Sequence, residues 1–343
     1  MIEQTIRKIS EGKDLTQDES FAAVSEIVSG QASDVQIAAF LVGLRVKGES
    51  VAEIAGGVRS LLAAAVRIEP QVNSCVDIVG TGGDCTGTFN ISSAAALTAA
   101  GAGAYVAKHG NRSVSSQSGS ADVYEALGLD LNMTPDQASR CLETCNFTFL
   151  FAPVYHPAMR HAAPVRRQLG IRSLFNLLGP LANPAGADRM LVGVNDVKLL
   201  PFMAETLREL GVVKALVVRG RDGTDEISLS GETDYCELDN GMITRGVLTP
   251  EQFGLKSSSL ESVRGGLPPE NARMIESILS GVTGPARDIV LLNAGATLYV
   301  AGQTRSIADG IEQARQSIDS GNALMKIQEL RRFSQQQKAG QAI

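Results

Sequence analysis

The sequence has few of the residues on which several classes of protein depend. Aromatic residues make up 4% of the 343-residue chain and tryptophan is absent, which disfavours a protein that stacks single-stranded nucleic-acid bases on aromatic rings. The formal net charge is -6 at pH 7, so the chain as a whole does not attract nucleic acid or anionic lipid. We therefore expect no nucleic-acid or membrane partner, and any phosphate group must be bound by a local cluster of residues.

Cysteine and long apolar segments are also scarce. Five irregularly spaced cysteines and three histidines predict neither a disulfide framework nor a zinc site. The longest apolar stretch, 94–107, contains a threonine and two glycines and is shorter than the ~18 residues that span a bilayer. The first twelve residues contain no apolar segment typical of a secretory signal. These features predict a reduced, cytoplasmic protein whose cysteines are buried as small hydrophobic residues.

The first seventy residues predict a helical unit. Capping boxes occur at Thr16–Glu19, Ser33–Gln36 and Ser50–Glu53, and each marks the start of a helix because its side chains satisfy unpaired N-terminal amides. A short helix from Ile2 to Ser10 is expected before them.

From Cys75 onward, apolar strands, glycine-containing loops and helices alternate. Strands are predicted at 76–80, 104–110, 147–152, 190–194 and 214–220, which indicates a largely parallel sheet with helices on both faces. The turn-rich segment 222–246 predicts antiparallel strands, so the sheet should be mixed. Gly179-Pro180 and Asn183-Pro184 predict breaks where the chain crosses back towards the helical unit, and the chain after Pro268 is mainly helical.

A glycine-rich loop follows the first predicted strand. Gly80–Asp84 (GTGGD) lies between a strand and a helix, where backbone amides and a helix N-terminus bind phosphate oxygens. The next helix begins among four small hydrogen-bonding residues, Thr88, Asn90, Ser92 and Ser93. A tight strand-to-helix turn is the alternative explanation, and the loop matches neither a Walker motif nor a dinucleotide-binding pattern.

A basic, hydroxyl-rich loop follows the next strand. Residues 108–116 (KHGNRSVSS) hold two cations, a histidine, an asparagine and three hydroxyls, a composition suited to a pyrophosphate or a sugar phosphate. A solvated basic turn is the alternative, although such a turn seldom holds so many hydroxyls. Ser120 begins the next helix, where its amide and hydroxyl can complete the phosphate site.

Two other segments carry charges suited to a substrate with phosphate and carboxylate groups. Asp225 and Glu226 follow the strand at 214–220, and such a pair binds Mg²⁺ together with phosphate oxygens and water. Arg166 offers a planar guanidinium to a carboxylate. Each feature also has an ordinary explanation, since adjacent carboxylates often form a solvated turn and a helix arginine often lies on the surface.

Six motifs follow one another in the order and spacing of a known family: GTGGD, TFNISS, KHGNRSVSS with SGSADV, FLFAPVYHPAMRHAAPVRRQLG, FNLLGPLANP and DGTDE. On these motifs the sequence resembles the anthranilate phosphoribosyltransferases from its N-terminal helices to its C-terminal region. The resemblance implies that the amine of anthranilate displaces pyrophosphate from phosphoribosyl pyrophosphate (PRPP) with Mg²⁺. The product would be N-(5-phosphoribosyl)anthranilate, an intermediate of tryptophan synthesis.

The resemblance also implies roles for individual residues. Its PRPP contacts fall on Gly80, Gly83, Asp84, Thr88, Asn90, Ile91, Ser92, Ser93, Lys108, His109, Gly110, Asn111, Arg112, Ser113, Val114, Ser115, Ser116 and Ser120. Its anthranilate contacts fall on Gly80, Asn111 and Arg166, with His109 nearby, and its metal ligands on Ser92, Asp225 and Glu226. The expected catalytic residues are Lys108 and Arg112, which would stabilise the departing diphosphate, and His109, whose role as a proton acceptor is a hypothesis.

The fold implied is α/β and of the nucleoside phosphorylase/phosphoribosyltransferase type. A small all-helical domain at 1–72 would be joined by a returning segment at about 165–190 to an α/β domain at 73–343 with a mostly parallel mixed sheet. The resemblance implies a homodimer formed through the helical parts. Two positions depart from the family pattern, since Cys85 stands where glycine is common and Arg219 where histidine is frequent.

Two other functions are compatible with parts of the pattern. A pyrimidine nucleoside phosphorylase of the same fold shares the KHGNR and SADV elements, but its chain is longer and its glycine loop lacks an aspartate at the position of Asp84. A noncatalytic relative that binds nucleic acid would need a basic face and a degraded site, whereas this chain is acidic and keeps the site motifs.

Overall fold

The computed structural model of the chain describes residues 1–113 and 117–340, with side chains up to residue 336. The N-terminal unit contains the helices α1 (Ile2–Ser10), α2 (Gln17–Val28), α3 (Asp34–Lys47) and α4 (Val51–Ala63). The three predicted capping boxes are confirmed, because Thr16, Ser33 and Ser50 each accept a hydrogen bond from the backbone amide three residues later.

A seven-stranded sheet forms the centre of the remaining chain. Its strands are β1 (Val76–Gly80), β2 (Val106–Gly110), β3 (Phe147–Phe151), β4 (Arg189–Gly193), β5 (Lys214–Gly220), β6 (Thr233–Asp239) and β7 (Met242–Leu248). The spatial order is β3-β2-β1-β4-β5-β6-β7. β1 to β5 pair in parallel, and β6 and β7 add an antiparallel hairpin. The predicted mixed, mostly parallel sheet is therefore confirmed.

Helices cover both faces of this sheet. They are α5 (Ile91–Gly101), α6 (Ser120–Ala126), α7 (Pro135–Cys145), α8 (Ala152–Tyr155), α9 (Ala163–Leu169), α10 (Leu174–Leu181), α11 (Leu199–Glu209), α12 (Pro268–Leu279), α13 (Pro285–Val300), α14 (Ile307–Asp319) and α15 (Asn322–Gly340). The break predicted at Gly179-Pro180 is wrong, since α10 continues to Leu181. A proline is tolerated there because the helix ends one residue later, so few helical hydrogen bonds are lost. Within the described ranges, no helix is long and apolar enough to cross a membrane.

Two hydrophobic cores lie on opposite faces of the sheet. One combines Ile78, Leu191 and Val218 with side chains of α5, α7 and α13. The other combines Val192 and Val217 with the N-terminal helices and with α9, α10 and α11. Successive side chains of β4 and β5 point alternately into the two cores because a strand has a two-residue period. The second core also packs α9 and α10 against the N-terminal helices.

The carboxyl edge of the sheet is the place where loops with unusual residues gather. β1, β2, β4 and β5 all end in glycine, at Gly80, Gly110, Gly193 and Gly220. Because parallel strands end at the same edge, the loops that follow them are neighbours.

Four cysteines are buried as predicted, but Cys85 is exposed in the loop after β1, so the prediction of burial is wrong for it.

Candidate active site

The glycine loop after β1 is held against the loop after β5. Its Gly82 amide donates a 2.9 Å hydrogen bond to Asp225 Oδ2, and the Thr81 amide donates to the Gly193 carbonyl at 2.9 Å. A Cβ atom at Gly80 would lie 2.5 Å from Asp225 Oδ2. Glycine at position 80 therefore permits the close approach between β1 and the acidic residue.

The acidic pair also contacts the start of α5. Glu226 Oε1 accepts hydrogen bonds from the backbone amide of Ser92, at 3.1 Å, and from the Ser92 hydroxyl. Ser92 and Glu226 lie 134 residues apart in the sequence. The structure thus brings together the residues that the sequence suggested as metal ligands.

The carboxylates on this side of the site lie close together, and their surroundings disfavour the charged forms of both. Burial, with repulsion from Asp84, raises the pKa of Asp225 to about 6. Burial, with repulsion from Asp225, raises the pKa of Glu226 to about 8. Carboxylate oxygens are the ligands that Mg²⁺ prefers, and a divalent cation would relieve the repulsion that raises both pKa values. The residues present therefore fit a magnesium ion.

These carboxylates do not form a complete metal centre by themselves. In residues 1–113 and 117–340, no group of three or more histidine, cysteine, aspartate or glutamate side chains is arranged to hold a metal ion. Mg²⁺ commonly takes one or two protein carboxylates and completes its shell with phosphate oxygens and water. The arrangement suits a metal that arrives with a phosphorylated substrate.

Lys108 is buried rather than exposed in a loop. It is 3% exposed, and its ammonium donates a hydrogen bond to the carbonyl of Ile78. Burial lowers the pKa of Lys108, opposed by the nearby charges of Asp77, Glu226 and Asp225. The side chain therefore places a positive charge close to the acidic pair and to Asp77.

His109 faces a second histidine. It is 4% exposed, and its ring centroid lies 5.1 Å from that of His156. Burial, with a smaller contribution from His156, lowers the pKa of His109 to about 3. His109 Nε2 has no hydrogen-bond partner among the described residues. The ring is therefore neutral at neutral pH, and its Nε2 is a buried polar atom that no described residue bonds.

Arg112 is engaged by carboxylates of α6. Its guanidinium donates to Asp122 at 2.8 Å and to both Glu125 oxygens at 2.8 and 3.1 Å, and these ion pairs raise its pKa. The Ser113 amide also donates to Asp122, at 3.0 Å. The basic loop is thereby fastened to α6, with its predicted phosphate-binding cation already paired.

Gly110 and Asn111 of the basic loop lie beside the start of α6. Ser120 Oγ donates to the Asn111 carbonyl at 3.4 Å, and a Cβ atom at Gly110 would lie 2.2 Å from Ser120 Oγ. The predicted contacts Val114, Ser115 and Ser116 lie outside the described residues.

The segment that leads into α5 links the two loops. Asn90 Nδ2 donates to the Ser118 carbonyl at 3.0 Å, and its Oδ1 accepts from Ser118 Oγ at 3.0 Å. Ile91 is buried in the core and Ser93 is 2% exposed, while Thr88 forms an isolated backbone bridge with Arg264. The structure therefore leaves Ile91 only its backbone for a ligand contact.

Arg166 lies on α9, the helix whose Val165 packs in the core shared with the N-terminal helices. It is half-buried, and its guanidinium carbon lies 5.4 Å from the centre of the Phe175 ring. The aromatic face fixes a cation whose outer edge remains able to pair with a carboxylate.

Sequence reasoning missed a buried pair beneath the site. Asn183 Nδ2 donates to Asp77 Oδ2 and to the Ala107 carbonyl, both at 2.7 Å, while the His109 amide donates to Asp77 Oδ1 at 3.2 Å. Asp77 is fully buried, and this burial raises its pKa to about 6, opposed by Lys108. A charged residue inside the apolar strand VDIVG was the available signal. The pair joins β1 and β2 to the segment after α10.

Comparison with known proteins identifies the family of this chain. Residues 72–324 match the α/β domain of a glycosyl transferase family, and residues 3–65 match the helical bundle domain of the same family. The anthranilate phosphoribosyltransferase of Symbiobacterium thermophilum is 49% identical over 337 residues, which cover 98% of this chain and 99% of that protein. The chain belongs to the anthranilate phosphoribosyltransferase family.

Solved structures of anthranilate phosphoribosyltransferases share the whole fold. The enzyme of Thermus thermophilus superposes with a TM-score of 0.92 at 44% identity, covering 96% of this chain and 99% of that one. The Saccharomyces cerevisiae anthranilate phosphoribosyltransferase, in complex with PRPP and Mg, has a TM-score of 0.89 at 28% identity and covers 98% of both chains. The family assignment thus agrees in sequence and in structure with the resemblance seen in the motifs.

Proposed function

We propose that this protein transfers the phosphoribosyl group of PRPP to the amine of anthranilate, giving N-(5-phosphoribosyl)anthranilate and pyrophosphate. The observation that carries the proposal is the contact of the acidic pair with both phosphate-binding elements. Asp225 bonds the glycine loop and Glu226 bonds the start of α5. A phosphoribosyl diphosphate and its metal ion need this combination of backbone amides and carboxylates.

Asp225, Glu226 and Ser92 would hold Mg²⁺ in this proposal. The yeast anthranilate phosphoribosyltransferase has been solved with PRPP and Mg, which supports the same metal here. When bound, the ion would neutralise the charge that collects on the departing diphosphate. The proposed PRPP contacts are those of the glycine loop (Gly80, Gly83 and Asp84), the start of α5 (Thr88 and 90–93), residues 108–116 and Ser120.

The protein's own residues would contribute mainly by electrostatics and positioning. The buried Lys108 charge would stabilise the acidic pair from behind, and Arg112 would exchange its partners on α6 for diphosphate oxygens. Arg166 would pair with the anthranilate carboxylate. An aromatic amine is already unprotonated at neutral pH, so orientation of its nitrogen matters more than a strong base. A neutral His109, with its pKa lowered to about 3, is suited to accept a hydrogen bond rather than to act as a strong base.

We also propose that the protein forms a homodimer through its helical parts. Two large apolar side chains of α3, Val35 and Val46, are 79% and 82% exposed, and burial in an interface would remove them from water. Light scattering on the purified protein tests this proposal, with a monomer mass as the contrary result. We propose, with it, two domains. One is a helical domain at 1–72 that is completed by 165–190, and the other is an α/β domain at 73–343.

The test of function is the loss of anthranilate fluorescence. Purified protein should consume anthranilate only when PRPP and Mg²⁺ are both present. Omission of either, or chelation of the metal, is the internal control. Phosphorolysis of uridine or thymidine without anthranilate turnover would show instead a nucleoside phosphorylase.

A further inference from the structure

Arg172 connects two regions that the sequence keeps far apart. It lies between α9 and α10, yet its guanidinium Nη1 donates to the Gly82 carbonyl at 2.9 Å and its Nη2 to the Thr81 carbonyl at 3.1 Å. These partners lie 90 and 91 residues earlier in the chain. The planar fork of arginine suits two successive carbonyls, whereas a lysine ammonium cannot present the same pair of donors.

The glycine loop is shaped to receive this side chain. A Cβ atom at Gly83 would lie 2.1 Å from Arg172 Nη1, and Gly83 has a φ of +74°. Any other residue at position 83 would displace the guanidinium and strain the backbone. The third carbonyl of the loop, that of Gly83, accepts from Asn195 Nδ2 at 3.4 Å, so donors from outside the loop hold three successive carbonyls.

The segment that carries Arg172 also carries the proposed anthranilate contact. Arg166 lies six residues earlier on α9, and its guanidinium packs on Phe175, three residues after Arg172. Phe175 and Val165 belong to the core that includes the N-terminal helices. A displacement of α9 and α10 would therefore move Arg166 and release the glycine loop together.

We propose that Arg172 is a positioning residue that fastens the segment bearing Arg166 to the glycine loop, so that occupation of one substrate site favours the other. The proposal rests on the proposed function for the identity of the two substrates. Arg172 acts through the backbone of residues 81 and 82, and no contact of its own with either substrate is required.

Calorimetric titration of PRPP with Mg²⁺, in the absence and presence of benzoate, tests this coupling. Benzoate keeps the carboxylate of anthranilate but lacks the amine, so the ternary complex cannot react. In the wild-type protein, benzoate should tighten PRPP binding. In Arg172→Ala, PRPP should bind roughly tenfold more weakly, because two hydrogen bonds from a charged donor are lost, and the benzoate effect should disappear.

Two variants separate positioning from charge and from general destabilisation. Arg167→Ala removes an exposed arginine of the same segment and should bind PRPP as the wild type does. Arg172→Lys keeps the charge without the fork and should lose most of the benzoate effect. If Arg172→Ala does not fold, as judged by circular dichroism, Arg172→Gln replaces it with the same two measurements.

Three results overturn the proposal. They are a wild-type protein in which benzoate leaves PRPP affinity unchanged, an Arg172→Ala protein that keeps the benzoate effect, and an equal loss in Arg167→Ala. Failure of the proposed function has a different signature, namely wild-type protein that binds both ligands but does not consume anthranilate.

Discussion

The acidic and basic sides of the candidate site differ in how completely they are assembled. On the acidic side, Asp225 and Glu226 already bond the glycine loop and Ser92, and burial together with repulsion from neighbouring carboxylates raises the pKa of both. On the basic side, Lys108 bonds a main-chain carbonyl and Arg112 bonds Asp122 and Glu125. In the proposed function a metal ion would therefore meet preformed ligands, whereas the diphosphate would compete with Asp122 and Glu125 for Arg112.

The energies of the two arrangements also differ. The Arg112 side chain is 45% exposed and that of Glu125 is 56% exposed, and an exposed ion pair contributes about 1 kcal/mol or less. Breaking this ion pair so that Arg112 can bond a diphosphate therefore costs little free energy. Repulsion between buried carboxylates is a larger effect. Loss of metal binding should therefore lower activity more than loss of the Arg112 charge does.

The largest effect is expected from removal of the acidic charges. Asp225→Asn combined with Glu226→Gln should lower turnover more than about 100-fold, beyond the 10- to 100-fold typical of residues that only support a metal ligand. The Mg²⁺ concentration for half-maximal activity should rise. Activity measured across a magnesium titration checks both values, and circular dichroism should show an intact fold. An unchanged titration would mean that the pair only holds the glycine loop and the start of α5 in place and does not bind the metal.

The next effect concerns the second substrate. Arg166→Ala should raise the anthranilate KM by roughly tenfold or more, because a charge-assisted hydrogen bond of about 1.5 to 3 kcal/mol is lost. The PRPP KM measured at saturating anthranilate should change little, since the proposed PRPP contacts lie on other loops. Steady-state kinetics with each substrate varied in turn gives the two values. An equal rise in both would indicate that Arg166 acts through packing of α9.

Local patterns foretold the acidic side better than the basic side. Strand, glycine loop and helix succeed one another in the sequence, and parallel strands necessarily bring the loops after β1 and β5 to one edge. Lys108 lies in β2, within the predicted strand 104–110, but its burial and its hydrogen bond to the Ile78 carbonyl are not indicated by the pattern. The partners of Arg172 and Asp77 are 90 and 106 residues away. Arg172 and Asn183 follow helices and not parallel strands, so the pattern of strand, loop and helix does not point to these contacts.

A smaller, opposite pair of effects tests the competition for Arg112. Arg112→Gln should raise the PRPP KM several-fold. Glu125→Gln should lower it, by at most about fivefold, since the ion pair that it removes is exposed and contributes about 1 kcal/mol or less. PRPP KM values at saturating anthranilate measure both. A higher KM in Glu125→Gln would show that Glu125 orients Arg112 for the ligand instead of competing with it.

A still smaller effect concerns the pH dependence of the reaction. Because burial lowers the pKa of His109 to about 3, the ring is neutral above pH 5 and does not titrate near neutrality. His109→Asn should therefore change the height of the kcat/KM profile between pH 6 and 9 without changing its shape. Loss of an ionisation in that interval would identify His109 as a titrating base and contradict the lowered pKa.

The smallest expected effect is on stability, at Cys85, the residue that follows the glycine loop. Cys85 has a φ of +56°, in the left-handed region that costs a residue with a side chain roughly 1 kcal/mol. Cys85→Gly removes this strain but makes the unfolded chain more flexible, so its melting temperature should rise by only a degree or two. Cys85→Val should melt lower than the wild type, because β-branched residues are least tolerated at positive φ. Cys85→Ala controls for loss of the thiol and should melt close to the wild type. Calorimetry on the protein without ligands gives this order directly, and a valine variant as stable as the glycine variant would show that the loop relaxes out of the left-handed conformation at no cost.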